Sequence, residues 1–102
     1  MEEKIKISML LQIYGKLLTE KQYEFMDYYY NEDLSLSEIA ENQNITRQAV
    51  REILSKSKAK LEEYEEKVMF WQKAKEINLL LDKLENKENL KEVQKIRKIL
   101  ND

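Results

Sequence analysis

Arg47, Gln48, Arg51 and Ser55 stand at spacings that a helix gathers onto one face. Arginine and glutamine form paired hydrogen bonds to base edges, and arginine and serine also reach phosphate oxygens. With Thr46 before them and Lys56 and Lys58 after them, they make Thr46, Arg47, Gln48, Arg51, Ser55, Lys56 and Lys58 the candidate nucleic-acid-binding set. No comparable set for catalysis exists. The carboxylates Glu62, Glu63, Glu65 and Glu66 lie on what reads as an exposed helical face, with no glycine-rich phosphate loop and no metal-ligand spacing. Glu38 is explained by capping and Asp27 by helix solvation. The sequence contains neither Cys nor His, which excludes structural zinc, thiolate catalysis, disulfides and imidazole acid–base chemistry. The reading is a binding module, not an enzyme, with no metal and no cofactor.

The segment that must position the basic set is DLSLSEIAENQNITRQAVREIL, Asp33 to Leu54, which reads as a helix-turn-helix (motif about 35–56). Ser35 with Glu38 forms a capping box that opens the first helix, and Thr46 caps the second. Ala40 is the small residue that lets the two helices approach. Asn44 falls in the turn, where a left-handed residue is needed, and after glycine asparagine adopts that conformation most readily. Ile39, Ile45, Val50 and Ile53 supply the apolar contacts between the helices.

At 102 residues the chain is expected to be a single domain with a modest core. It has no Pro and one Gly, Gly15, which points to an all-α fold, since sheets and long loops need turn residues. The start, MEEKIKISMLLQIYGKLL, has no signal layout, and no apolar run reaches membrane-spanning length. A cytoplasmic protein with no membrane insertion is expected. The net charge of −2 is unevenly spread. Residues 1–44 hold four basic and nine acidic side chains, whereas residues 45–60 hold five basic side chains against Glu52 alone. Positive charge is therefore concentrated on the second motif helix and its extension, where it can meet phosphates. Lys56, Lys58 and Lys60 also fit a solvated helical face.

Five or six helices follow one another with short connections. The first is predicted from about Glu3 to Tyr14, with Ile5, Met9, Leu10 and Ile13 on one side and Gly15 near its end. Thr19 and Gln22 open a second helix through another capping box. It carries Tyr23, Phe25, Met26, Tyr29 and Tyr30, read as core in preference to a base-stacking platform; Tyr28 is predicted to be the exposed aromatic. Asn31-Glu32-Asp33 closes it. Residues 1–60 thus form a helix-turn-helix bundle, and 61–102 a C-terminal helical extension.

From the second motif helix into that extension, Val50, Leu54, Ser57, Leu61, Tyr64, Val68 and Trp71 follow alternating spacings of four and three, and Phe70, Ala74, Ile77, Leu81 and Leu84 take over. The change of stripe predicts a register skip near Trp71 or a bend around Lys67. Glu85-Asn86-Lys87 breaks the pattern, and Leu90, Val93, Ile96 and Leu100 make a last amphipathic helix. Such a stripe can fold back on the first helices or pack on a second copy. A homodimer through Leu61, Tyr64, Val68, Phe70, Trp71, Ile77, Leu81 and Leu84 is expected, against a monomeric bundle closed by its own C-terminal helices.

The run YGKLLTEKQYEFMDYYYNEDLSLSEIAENQNITRQAVREIL, followed by LEEYEEKVMFWQK, closely resembles the YlxM family of small bacterial helix-turn-helix proteins, from about Leu10 to Lys73. The distinctive segments are Leu17–Gln22, the tyrosines Tyr28–Tyr30, LSLSEIAE, Arg47–Val50 and Leu61–Glu65. The resemblance implies an N-terminal half like region 4 of RNA polymerase sigma factors. It also implies an accessory or regulatory role in the signal recognition particle (SRP) pathway, through the family's association with the gene for the SRP GTPase. Members tend to carry an aromatic residue, Asp-Asn and two basic residues after RQAV; here the run is Arg51-Glu52-Ile53-Leu54-Ser55-Lys56. Base-level specificity therefore does not transfer, while Arg47 and Gln48 match. Expected partners are nucleic acid (SRP RNA or duplex DNA), the SRP GTPase, or both. The alternatives are a sigma-like transcription regulator on duplex DNA, or a motif that serves only as a scaffold for protein contacts.

Overall fold

The computed structural model describes residues 2–101. It is all-helical among them, with six α-helices: α1 (Glu3–Tyr14), α2 (Glu20–Met26), α3 (Leu36–Gln43), α4 (Arg47–Val68), α5 (Phe70–Leu84) and α6 (Leu90–Asn101). They fall into two compact units that divide between Val68 and Met69. The helix-turn-helix bundle therefore extends along α4 past residue 60 to Val68.

In the first unit α4 is the common partner of α1, α2 and α3. Val50, Leu54, Ser57 and Leu61 form its buried stripe, at the alternating spacing read from the sequence. Ser57 is the one polar member. Its hydroxyl donates to the Ile53 carbonyl one turn back (2.7 Å), so this polar group is satisfied inside the core. At the far end Tyr14 packs against Tyr64, with ring centroids 6.0 Å apart, and its hydroxyl donates to the Glu65 carboxylate (2.7 Å).

The face that α1 buries differs from the expected one. Ile7, Leu10, Leu11 and Tyr14 are buried, while Ile5 is 59% and Met9 42% exposed and Ile13 is half-buried. Apolar residues lie on nearly every side of this helix, so helical spacing fits two stripes, and packing on α4 selects the stripe at 7, 10, 11 and 14. Gly15 opens a 3₁₀ turn (Gly15–Leu17) in the right-handed region. Space is what requires glycine there: a Cβ would lie 2.7 Å from the Tyr23 ring.

Thr19 and Gln22 form the predicted capping box of α2, which buries Phe25 and Met26. The chain then widens into a π-turn over Asp27–Asn31. Tyr28, Tyr29 and Tyr30 are all half-buried there, and Tyr28 packs on Phe25 (6.2 Å). Tyr28 is thus not the exposed aromatic. Tyr23 is the more open one, at 41%. The wider turn changes the angle between successive residues, so consecutive tyrosines share cover.

In the second unit α5 begins after Met69, whose left-handed conformation (φ 58°) ends the run of α4, between Lys67 and Trp71 where the change of stripe falls. The α5–α6 turn is held by Asn86 and Asn89. The Asn86 side chain accepts from the Asn89 backbone N–H (3.0 Å), and the Asn89 side chain accepts from that of Asn86 (2.8 Å). Arg97 of α6 ties back to α5 through Asn78 (2.9 Å) and Asp82 (2.6 Å). Among the described residues no helix is long and apolar enough to cross a membrane.

Candidate nucleic-acid interface

The α3–α4 pair is built by short-range chemistry. At the start of α3 the Ser35 hydroxyl accepts from the Glu38 N–H (3.1 Å), and the Glu38 carboxylate accepts from the Ser35 N–H (2.8 Å). At its end Asn44 is left-handed (φ 57°, ψ 45°). The Ile45 N–H reaches back to the Ala40 carbonyl (3.0 Å) and the Asn44 N–H to that of Glu41 (3.3 Å). This pair of bonds is a Schellman cap, with asparagine where glycine usually stands. Ile39 and Ala40 are buried beneath it, and Ala40 gives the close approach its small side chain allows. Thr46 then caps α4, its hydroxyl accepting from the Ala49 N–H (3.0 Å).

This geometry turns Arg47, Gln48, Arg51 and Ser55 outward, and all four are exposed on α4. Arg51 donates to the Gln48 side-chain oxygen (3.0 Å), which leaves the Gln48 amide hydrogens directed elsewhere. Arg47 donates a long hydrogen bond to the Ser37 hydroxyl of α3 (3.4 Å). The face can therefore present two guanidinium groups, an amide and a hydroxyl from the first turns of the second motif helix. In helix-turn-helix proteins these are the turns that meet base edges.

The other predicted residues part from this group. Thr46 is occupied as a cap. Lys56 lies on the opposite flank, in an open groove of about 240 Å³ that it lines with Thr19, Lys21, Gln22, Ala49, Glu52 and Ile53. Lys58 turns to α1 and pairs with the Glu3 carboxylate. That hydrogen bond and its charge hold the Glu3 carboxyl below its ordinary value and the Lys58 ammonium above its own. Nearby, Lys4 makes a similar exposed pair with Asp33 (2.8 Å). Ser37 and Lys21 join the surface although neither was singled out from the sequence. Ser37 follows the α3 cap closely and could have been suspected; Lys21 comes from another helix, and only tertiary packing brings it in.

Of the residues expected at a dimer seam, Leu61 is fully buried within the first unit, and Tyr64 packs on Tyr14 with its hydroxyl near the Leu17 carbonyl (3.5 Å). Leu81 is also buried. Phe70 and Trp71 are half-buried, with Lys75 over the Trp71 ring (4.2 Å). Val68, Ile77 and Leu84 are exposed, as are Leu80 and Ile99.

The family model described as "Putative helix-turn-helix protein, YlxM / p13 like" matches residues 1–101. The chain belongs to this family. A UPF0122 protein of Clostridium acetobutylicum is 40% identical over 112 residues, covering 99% of this chain and 97% of the relative. One of Fusobacterium nucleatum is 43% identical over 96 residues (91% and 93%), and one of Desulforamulus reducens is 45% identical over 107 residues (98% and 92%). The family is one of helix-turn-helix proteins and not an enzyme family. In this chain the helix-turn-helix is the α3–turn–α4 element, whose outward face carries Arg47, Gln48, Arg51 and Ser55.

Proposed function

We propose that this protein acts by binding, without catalysis, as a cytoplasmic accessory or regulator of the SRP targeting pathway, and that it engages nucleic acid through the outward face of α4. The observation that carries the nucleic-acid reading is the joint exposure of Arg47, Gln48, Arg51 and Ser55 on α4, which Thr46 caps and which follows an α3 whose ends are fixed by Ser35 and Asn44. The SRP assignment rests on the resemblance to the YlxM family, and the SRP GTPase is its protein partner. The same reading includes a homodimer. The second unit has little core of its own, with Ala74, Leu81 and Val93 as its buried apolar residues, so its exposed leucines and isoleucines are assigned to a second copy.

A second reading is a sigma-region-4-like regulator that places α4 in the major groove of duplex DNA. It is favoured by cations on both edges of the α4 face, Arg47 on one and Lys56 on the other.

Fluorescence anisotropy with labelled SRP RNA and duplex DNA of matched charge, with and without the SRP GTPase, tests both. Arg47→Ala/Arg51→Ala is expected to lose ~1–3 kcal/mol per specific contact and to relax sequence preference. If the variant binds every species as the parent does, the α4 face is not the interface.

A further inference from the structure

Among the described residues three stand in the left-handed region: Asp33 (φ 62°), Asn44 (φ 57°) and Met69 (φ 58°). Aspartate and asparagine enter that region readily, because a short polar side chain can bond the local backbone. Methionine has no such bond to offer, and its Cβ weighs against the conformation by roughly 5- to 30-fold in population. Met69 stands immediately before α5, and its side chain makes no capping bond there. From Leu61 to Ile77 the sequence has no Gly, Pro, Asn, Asp, Ser or Thr, so nothing local asks the helix to stop. Glu63 and Lys67 pair one turn apart just before the junction (3.3 Å), as they do in an uninterrupted helix. Strained backbone persists where the surrounding structure over-determines it. Here the surroundings are thin, since Val68 is 53% and Met69 38% exposed.

What favours the break is the apolar pattern. The α4 stripe runs through Leu61, Tyr64, Val68 and Trp71, and that of α5 through Phe70, Ala74, Ile77, Leu81 and Leu84, one position out of step. In one continuous helix the second stripe would start ~100° round the axis from the end of the first. A break at Met69 lets each half follow its own stripe. Local backbone chemistry and side-chain pattern thus pull in opposite directions at one partly exposed residue. We propose that the α4–α5 junction is a two-state hinge: residues 47–84 exchange between the form broken at Met69 and one continuous helix, ~57 Å long at 1.5 Å per residue. The exchange decides in which direction α5 presents its exposed Ile77, Leu80 and Leu84. A partner that covers those residues in one form only draws the chain into that form.

The sequence has no cysteine, so Lys60→Cys/Lys83→Cys, at two exposed positions, places a unique pair of spin labels across the junction. Double electron–electron resonance is read on the full chain, with the labelled protein diluted in excess unlabelled parent so that the distances arise within one chain. A continuous helix separates the two positions by ~35 Å along its axis, and any bend at residue 69 shortens that span. With Met69 in place, two distances are expected, the longer one near that value. Met69→Gly removes the left-handed penalty and weakens the helix, so it should lower the ratio of long to short by ~10-fold or more. Met69→Ile puts a β-branched residue where the left-handed region suits it least, and should raise that ratio. A single short distance that persists in Met69→Ile, or a single long one that persists in Met69→Gly, overturns the hinge. Two distances whose ratio is the same in all three proteins overturn Met69 as its pivot.

Discussion

Glu3→Gln should make this protein a stronger nucleic-acid binder. Lys58 lies on the same side of α4 as Arg47, about three turns further along, and its ammonium is engaged by Glu3 of α1. An ammonium neutralised by its own carboxylate releases no counterion from a duplex, so Lys58 contributes little to the salt dependence of the parent. Removing the Glu3 charge frees it and should steepen the slope of log K against log salt by ~0.9. Between 200 and 50 mM salt that amounts to ~3.5-fold more gain in affinity than the parent shows. The effect belongs to neutral pH. Glu3 has a lowered folded pKa, so the stability its pairing gives is present above the ordinary value of 4.5 and is lost as pH falls through the folded value. Lys58 has a raised one, so its share is present below 10.5 and is lost as pH rises through the folded value. Both conditions hold at pH 7, and the parent should approach the variant as acid protonates Glu3. The assay is anisotropy with a DNA duplex across salt, comparing parent, Glu3→Gln and Lys58→Ala. A parental slope in Glu3→Gln, together with a reduced slope in Lys58→Ala, would mean that Lys58 reaches phosphate despite its partner. That result refutes the reasoning.

Two further outcomes follow from the geometry of the turn and of the second unit. Asn44→Ala puts a residue with a Cβ penalty and no local side-chain hydrogen bond into the left-handed cap and should cost ~1–2 kcal/mol in urea unfolding, whereas Asn44→Gly should be close to neutral; equal stability of the Ala variant would deny that the αL cap sets the motif. Leu80 and Leu84 are 58% and 64% exposed on α5, so Leu80→Glu/Leu84→Glu should convert a homodimer to monomer in sedimentation equilibrium without loss of helical signal, and an unchanged mass would take those residues out of the interface.

The parts of the fold legible in the sequence were those whose causes lie within a turn or two of chain. Ser35 and Glu38, Thr19 and Gln22, and Thr46 cap helices through partners three residues away, so residue type and spacing suffice to place them. Asn44 is legible for the same reason: a backbone conformation selects it before any distant packing is considered. The buried stripe of α4 could be read because its other faces are polar. The buried stripe of α1 could not, since Ile5, Ile7, Met9, Leu10, Leu11 and Ile13 surround the helix and only contact with α4 chooses among them. The same division runs through the interface. Arg47, Gln48, Arg51 and Ser55 share a face by helical geometry alone, and the sequence grouped them as the structure does. Lys58 and Lys56 looked equivalent by charge and position, yet α1 brings a carboxylate to one and α2 brings a second lysine to the other. What decides whether a lysine on α4 is free to meet a phosphate is therefore its neighbour across the bundle, information that helix periodicity does not contain.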